Sequence, residues 1–329
     1  MADPSDPGQG PGAPTATLVW GEIAGLVGRA LGEPVSGGVP MTPGWSSRTT
    51  WSAHGERTGP LVVKARHGDR AQEKTAWCAD RLPLLAARGY PVPTIIWHGP
   101  ARDQWHLTVQ NRLPGRPVTR LDERLLAEVL TLVERQANAA IPAGDRDFTG
   151  YIANVLFDDW DEVWADAGRA GGAAGALCTR IRRWLAPVRG LRLPPADFAH
   201  NDLNLSNILT DGNRITGVVD WDEFGLGSRA LDLVVLALDC EELGDRAAAD
   251  RLLAAAASAV GDPGLRCLVS YRALATLAEA TREGLDPQVD IREISAILSR
   301  LPSDARAAPH TRGAPPTRGG PRFLLLSVG

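Results

Sequence analysis

Apolar positions recur with helical spacing from Leu18 to Leu31. Glycine and proline punctuation follows. Two runs of strand character, Thr49–Ala53 and Leu61–Arg66, then flank a turn at His54–Pro60. Arg70–Arg88 returns to helical spacing and stops at Gly89, and Trp105–Asn111 reads as a further strand. The pattern changes after Pro114-Gly115. Leu121–Ala139 carries a helical stripe of Leu121, Leu125, Val129, Leu132 and Val133, and helical patterns recur over Gly175–Leu185, Leu231–Glu242, Arg246–Val260, Gly264–Arg282 and Ile291–Leu301. Within this helical half, Phe198–Trp221 holds short strand-like runs at Ile208-Leu209 and Ile215–Val219.

These patterns predict an α+β, bilobal chain. Residues 18–111 form a small β-rich N-terminal lobe, and residues 112–302 form a larger, mainly helical lobe with a hairpin embedded in it. Residues 1–17 and 303–329 are rich in Pro and Gly or lack periodicity, apart from a short apolar patch at Phe323–Ser327, and read as disordered tails.

Composition narrows the functional classes. At 329 residues there is ample material for a buried core, and a net charge of −4 gives no electrostatic reason to expect nucleic acid. The four cysteines, Cys78, Cys178, Cys240 and Cys267, form no C-x-x-C pair and no cluster with histidines, which argues against zinc and against a disulfide framework. Scattered thiols, no apolar run of membrane-spanning length and no signal-peptide pattern predict a cytoplasmic protein without a membrane partner. Lys64 and Lys74 are the two lysines among 35 basic residues. A lysine inside the apolar run Leu61-Val62-Val63-Lys64-Ala65-Arg66 therefore asks for a reason.

The chemistry concentrates in the embedded hairpin. It reads His200-Asn201-Asp202-Leu203-Asn204-Leu205-Ser206-Asn207-Ile208-Leu209, a turn at Asp211-Gly212-Asn213, and then Val218-Val219-Asp220-Trp221. Two carboxylates and a carboxamide are thereby set on short loops beside apolar strands. Such groups can accept a hydroxyl proton and ligate a hard cation through oxygen.

This pattern resembles the H-G-D-x-x-x-x-N and I-D-W motifs of aminoglycoside phosphotransferases, relatives of the protein kinases with their H-R-D-x-x-x-x-N and D-F-G. The run Val218–Gly225 is also similar to that of viomycin-type antibiotic kinases, and Gly227 and Asp232-Leu233 follow in the expected order. The resemblance implies that Asp202 is the base acting on the acceptor hydroxyl. It implies that Asn207 and Asp220 hold Mg2+ on the phosphates of ATP (or GTP), that His200 is structural, and that Asp232 caps its helix and supports the loop. Two positions depart from the family pattern. Asn201 replaces a small Gly, and Asn204 stands where many relatives carry His or Lys, so it cannot supply their positive charge.

For the nucleotide, the resemblance implies that Lys64 contacts the α- and β-phosphates and pairs with a helix carboxylate, for which Glu73 is the candidate. Gly44, Ser46 and Ser47, in the loop Pro43–Thr50, offer N–H groups and hydroxyls to phosphate oxygens. Gln110, Asn111 and Arg112 match the connector whose backbone meets the purine edge.

Between Ile141 and Ala170, seven carboxylates face two arginines, and Trp160 and Trp164 are interleaved. Asp158, Asp159, Asp161 and Glu162 suit a polycationic acceptor, or else form a solvated acidic face with the tryptophans packed inward. Asp222 and Glu223 are further acceptor-side candidates. Three functions fit the family resemblance: a kinase for a small hydroxyl-bearing, cationic molecule, a kinase for Ser or Thr of a precursor peptide, and a nucleotide-binding pseudokinase.

Overall fold

A computed structural model describes residues 18–41, 50–68, 71–139, 147–158, 161–169 and 171–301. The predicted tails and the loop bearing Gly44, Ser46 and Ser47 lie outside the described residues. Contacts divide the described chain into two compact units, 18–84 with 92–113, and 85–91 with 114–301.

The first unit opens with helix α1 (Trp20–Leu31), closed by Gly32 at φ 67°, a conformation that glycine adopts without steric cost. Five antiparallel strands follow: β1 (Val35–Pro40), β2 (Thr50–Gly55), β3 (Gly59–His67), β4 (Ile95–Pro100) and β5 (Trp105–Asn111), arranged β1-β2-β3-β5-β4. Helix α2 (Ala71–Ala87) lies between β3 and β4 in the chain. The two-residue period of β3 sorts its side chains. Leu61, Val63 and Ala65 enter a core with Trp51, Leu107, Val109 and, from α1, Ile23 and Val27. Full burial of one such side chain contributes about 1.5–3 kcal/mol. The alternate residues Val62, Lys64 and Arg66 take the other face, where Lys64 pairs in register with Thr50 and Thr108. On that face Arg66 Nη1 donates to Thr108 Oγ1 at 3.2 Å, and Thr108 donates to the buried Thr75 hydroxyl of α2 at 3.2 Å. At the β2–β3 turn, the buried Glu33 carboxylate accepts the N–H groups of Arg57 and Thr58 and the Thr58 hydroxyl.

The second unit is mainly helical: α3 (Glu123–Glu134), α4 (Phe148–Phe157), α5 (Asp161–Arg169), α6 (Gly172–Leu185), α7 (Ala230–Glu242), α8 (Arg246–Arg282) and α9 (Gln288–Arg300). Five short strands accompany them: β6 (Arg116–Pro117), β7 (Asp197–Ala199), β8 (Ile208–Thr210), β9 (Ile215–Val218) and β10 (Gly225–Gly227). They form a β6-β8-β9 sheet and a β10-β7 pair. Asp122 and Asp147 cap α3 and α4 by accepting the N–H groups of Leu125 and Gly150. Helix α7 is buried from Ala230 through Ala237 and packs against α8. By length and composition α8 could cross a membrane, but it breaks at Gly261 (φ 71°, ψ 166°) before Pro263, where the sequence pattern also separates two helices.

Candidate active site

Two loops carry the predicted chemistry, and strand pairing sets them side by side. The loop 200–207 leaves β7 and enters β8, and the loop 219–224 leaves β9 and enters β10. Antiparallel pairing joins Ala199 to Gly225 and Ile208 to Val218, so both ends of each loop are held against the other. A further bond from Val219 N–H to the Asn207 carbonyl at 2.9 Å extends the β8–β9 ladder to the residue before Asp220. Asn201 and Asp220 sit at φ 67° and 63°, left-handed backbone that a β-carbon disfavours. The conformation accounts for the glycine of relatives at the first position. Asn tolerates it, and here the Asn201 amide also donates to the Glu223 carbonyl at 2.9 Å, tying the loops once more.

Beneath the loops lies a buried polar frame. The Asp232 side chain is fully buried, with one oxygen accepting Asn201 N–H at 2.7 Å and the other accepting His200 N–H and the Gln136 amide, each at 2.9 Å. Burial pushes its carboxyl above the ordinary range, while His200, the donors and Gln136 pull it back. Helix α7 begins at Ala230, so Asp232 stands in the first turn and does not cap the helix, contrary to the expectation from sequence; its oxygens serve the loop instead. One heptad on, Asp239 accepts Leu205 N–H at 2.7 Å, and burial raises its carboxyl to about 6. His200 Nε2 donates to the Val219 carbonyl at 2.9 Å, while Nδ1 accepts Asp202 N–H at 3.3 Å, which fixes the tautomer. Its ring packs on Trp221, whose indole N–H donates to the Val218 carbonyl at 2.8 Å.

The residues expected to do the chemistry stand on these loops. The half-buried Asp202 carboxylate lies 4.0 Å from Arg272 Nη2 on α8 and 3.4 Å from the Asn204 amide. Burial raises its carboxyl, Arg272 and His200 lower it, and Asp220 and Glu223 raise it further. Asn207 donates its amide N–H to the Asp202 carbonyl at 2.9 Å, so the carboxamide oxygen is the end left for a cation. Among the described residues no group of three or more His, Cys, Asp or Glu side chains is arranged to hold a metal alone. One carboxylate and one carboxamide instead fit a cation that takes its remaining ligands from water and phosphate, as Mg2+ does. Asn204 caps the 3-10 turn Leu205–Asn207 through its side chain.

The remaining predicted residues divide by location. Lys64 is on β3 and Glu73 lies exposed in the first turn of α2, both in the first unit. Gln110 and Asn111 end β5. The N–H groups of Asn111 and Arg112 already donate to the Thr94 and Pro60 carbonyls, so purine contacts would fall to carbonyl oxygens or to the residues just beyond. In the acidic segment, Asp147 is spent on its helix cap, Asp158 pairs with Arg192 at 2.7 Å, and Asp166 pairs with Arg169 and Arg282. Trp164 donates to the Val155 carbonyl and lies under the Arg182 guanidinium at 4.5 Å. Glu162 is exposed on α5, where Asp161 is the first residue; Asp159 and Trp160 lie outside the described residues. Glu223 is exposed beside Asp202, Tyr151 and Tyr271, whose carboxyl and phenols its charge raises. Gln136, Asp239 and Arg272 escaped the sequence reading, because each reaches the loops from a segment distant in sequence: the turn after α3, α7 and α8.

Two carboxylates and a carboxamide on paired loops, with a buried α7 carboxylate beneath one of them, match the pattern expected of a phosphotransferase. The chain belongs to the phosphotransferase enzyme family (APH), whose model matches residues 38–268. It is 30% identical to viomycin phosphotransferase of Streptomyces vinaceus over 207 residues, 53% of this chain and 68% of that protein. Its fold is the protein-kinase-like, mixed α+β fold of the aminoglycoside phosphotransferases. A ternary complex of a thermostable APH(4)-Ia with ADP and hygromycin B matches with TM-score 0.63 and 16% identity, over 87% of this chain and 100% of that one. APH(3'')-Id of Streptomyces rimosus, with ADP and streptomycin, matches with TM-score 0.55 and 19% identity, over 77% and 98%.

Proposed function

We propose that this phosphotransferase moves the γ-phosphoryl group of ATP (or GTP) to a hydroxyl of a small, cationic molecule such as an aminoglycoside or a basic peptide antibiotic, in the cytoplasm. The observation that carries the reading is the placement of Asp202, Asn207 and Asp220 on two loops tied by the Val219–Asn207, His200–Val219 and Asn201–Glu223 bonds, the first loop resting on Asp232. In this reading Asp202 orients the acceptor hydroxyl and takes its proton. Asn207 and Asp220 would hold Mg2+, which neutralises charge on the phosphates when bound. Lys64, paired with Glu73, would contact the α- and β-phosphates, helped by Gly44, Ser46 and Ser47, with Gln110–Arg112 at the purine. Glu223 and Asp222 would meet the acceptor's positive groups, with Asp158, Asp159, Asp161 and Glu162 contributing a longer-range field.

The relatives supply the acceptor panel: viomycin, hygromycin B and streptomycin. ATP and GTP consumption is measured with each, for the wild type and Asp202→Ala. Turnover of one acceptor above the rate with water, lost in Asp202→Ala, is the expected result. Failure of every acceptor in the presence of active hydrolysis would overturn the small-molecule assignment in favour of a peptide hydroxyl. A wild type that binds nucleotide without consuming it would make the chain a pseudokinase.

A further inference from the structure

Asn204 leaves the loop without the positive charge that many relatives place near the transferring phosphoryl group, yet a cation reaches the Asp202 carboxylate from elsewhere. Among the described residues, Asp202 is the carboxylate within ion-pair reach of Arg272, whose Nη2 lies 4.0 Å from Asp202 Oδ1. The opposite oxygen of Asp202 is approached by the Asn204 amide at 3.4 Å. Arg272 is about one-quarter exposed, so it is screened by neither full solvent nor a tight partner. Its position is well supported. Tyr271 and Ala273 on either side are buried in α8, with the Tyr271 ring edge-on to Phe148 and Tyr151. Its charge also reaches Asp239, which holds Leu205 of the same loop.

We propose that Arg272 is a positioning residue of the phosphotransfer site: from α8 it holds the Asp202 carboxylate in the orientation that acts on the acceptor hydroxyl, a task that Asn204 cannot perform with charge. The inference rests on Asp202 being the base. A separation of 4.0 Å is longer than a direct hydrogen bond and leaves Oδ1 room for a hydroxyl, and such contacts tighten when substrate arrives. Two aligned groups, one charged and one neutral, then grip the carboxylate from both sides. Preorganisation of this kind acts on the rate of the chemical step and leaves nucleotide binding alone.

Transfer from Mg-ATP to water provides an assay that requires no identified acceptor. Wild type, Arg272→Gln, Arg272→Lys, Asp202→Asn and the Asp202→Asn/Arg272→Gln double variant are compared for kcat, ATP KM and thermal midpoint. Arg272→Gln is expected to lose about tenfold or more in kcat at unchanged ATP KM, and Arg272→Lys to recover part of it. In the Asp202→Asn background Arg272→Gln should cost nothing further, because the group it positions has gone. Arg272→Gln turnover within about twofold of wild type would overturn the inference. So would equal losses in Arg272→Lys and Arg272→Gln that follow a lowered thermal midpoint, which mark a packing role. If Asp202→Asn retains wild-type turnover, the assignment of the base falls first, and the inference with it.

Discussion

The Asp232 carboxylate accepts three N–H groups, two of them from the backbone of the loop that carries Asp202, and has no contact with water to replace them. Asp232→Ala leaves those donors buried and unpaired, which costs roughly 3–5 kcal/mol, a large share of a typical stability. Urea unfolding should show the loss, and a midpoint equal to wild type would place the loop's support elsewhere. Asp202→Ala should behave in the opposite way. It should lower transfer by ~10²–10⁴ while the fold and nucleotide affinity persist, whereas Asp220→Ala should weaken Mg-ATP binding itself. Nucleotide titration beside turnover separates the two. The candidate site was legible because Asp202, Asn207 and Asp220 sit close together in sequence, at the spacings of the motif they resemble. Gln136, Asp239 and Arg272 were not. Each is an ordinary polar residue, Gln136 in the turn after α3 and the other two on helices, and its partner is chosen by packing that no local pattern encodes.

Elements were legible where one face is buried and the other wet. The stripe of α3, with Leu125, Val129, Leu132 and Val133 buried, and the first stretch of α8 are legible for this reason, although α3 ends at Glu134, five residues short of the expected Ala139. Strands β1 and β4 lie at the two edges of the five-stranded sheet, where irregular register and exposed positions erase the alternation of a half-buried strand. Helix α4 hides for the opposite cause: Tyr151, Ile152, Ala153, Val155 and Leu156 are all buried, so apolar residues surround it and no period stands out. At the other end of the unit, α9 packs on α7 and α8 and brings Glu293 and Asp290 near Glu242. Burial first, then repulsion from Glu242 and Asp290, raises the Glu293 carboxyl to about 7. The protonated form is therefore the one the fold favours. Its contribution is complete below the ordinary carboxylate range and is lost as pH rises through about 7. Glu293→Gln should have a higher thermal midpoint than wild type above that pH, with the gap closing on acidification. A gap independent of pH would show that the substitution acts through packing.

At the scale of the whole molecule the question is where its negative charge attracts a cation. The net charge of −4 is modest, so attraction has to be local. The sequence points to the acidic run before and within α5, but two of its charges are compensated in the fold, Asp158 by Arg192 and Asp166 by Arg169 and Arg282, and the Trp164 face is already occupied by Arg182. Glu223 acts instead on Asp202, the base of the proposed reading, and on the phenols of Tyr151 and Tyr271. Removing one member of an exposed ion pair changes little, typically under about 1 kcal/mol, and Asp158→Asn should shift acceptor KM by less than about fivefold. Glu223→Gln should raise that KM more than Asp158→Asn does, with kcat changed less, because a charge that binds ground and transition states alike appears in KM. Added salt should raise the wild-type KM, since screening contracts to ~8 Å near physiological ionic strength. The measurement uses whichever of viomycin, streptomycin or hygromycin B the enzyme turns over, at saturating Mg-ATP and two salt concentrations. A KM indifferent to both salt and Glu223→Gln would remove the case for a cationic acceptor, leaving a neutral hydroxyl compound or a peptide as the better match to the site.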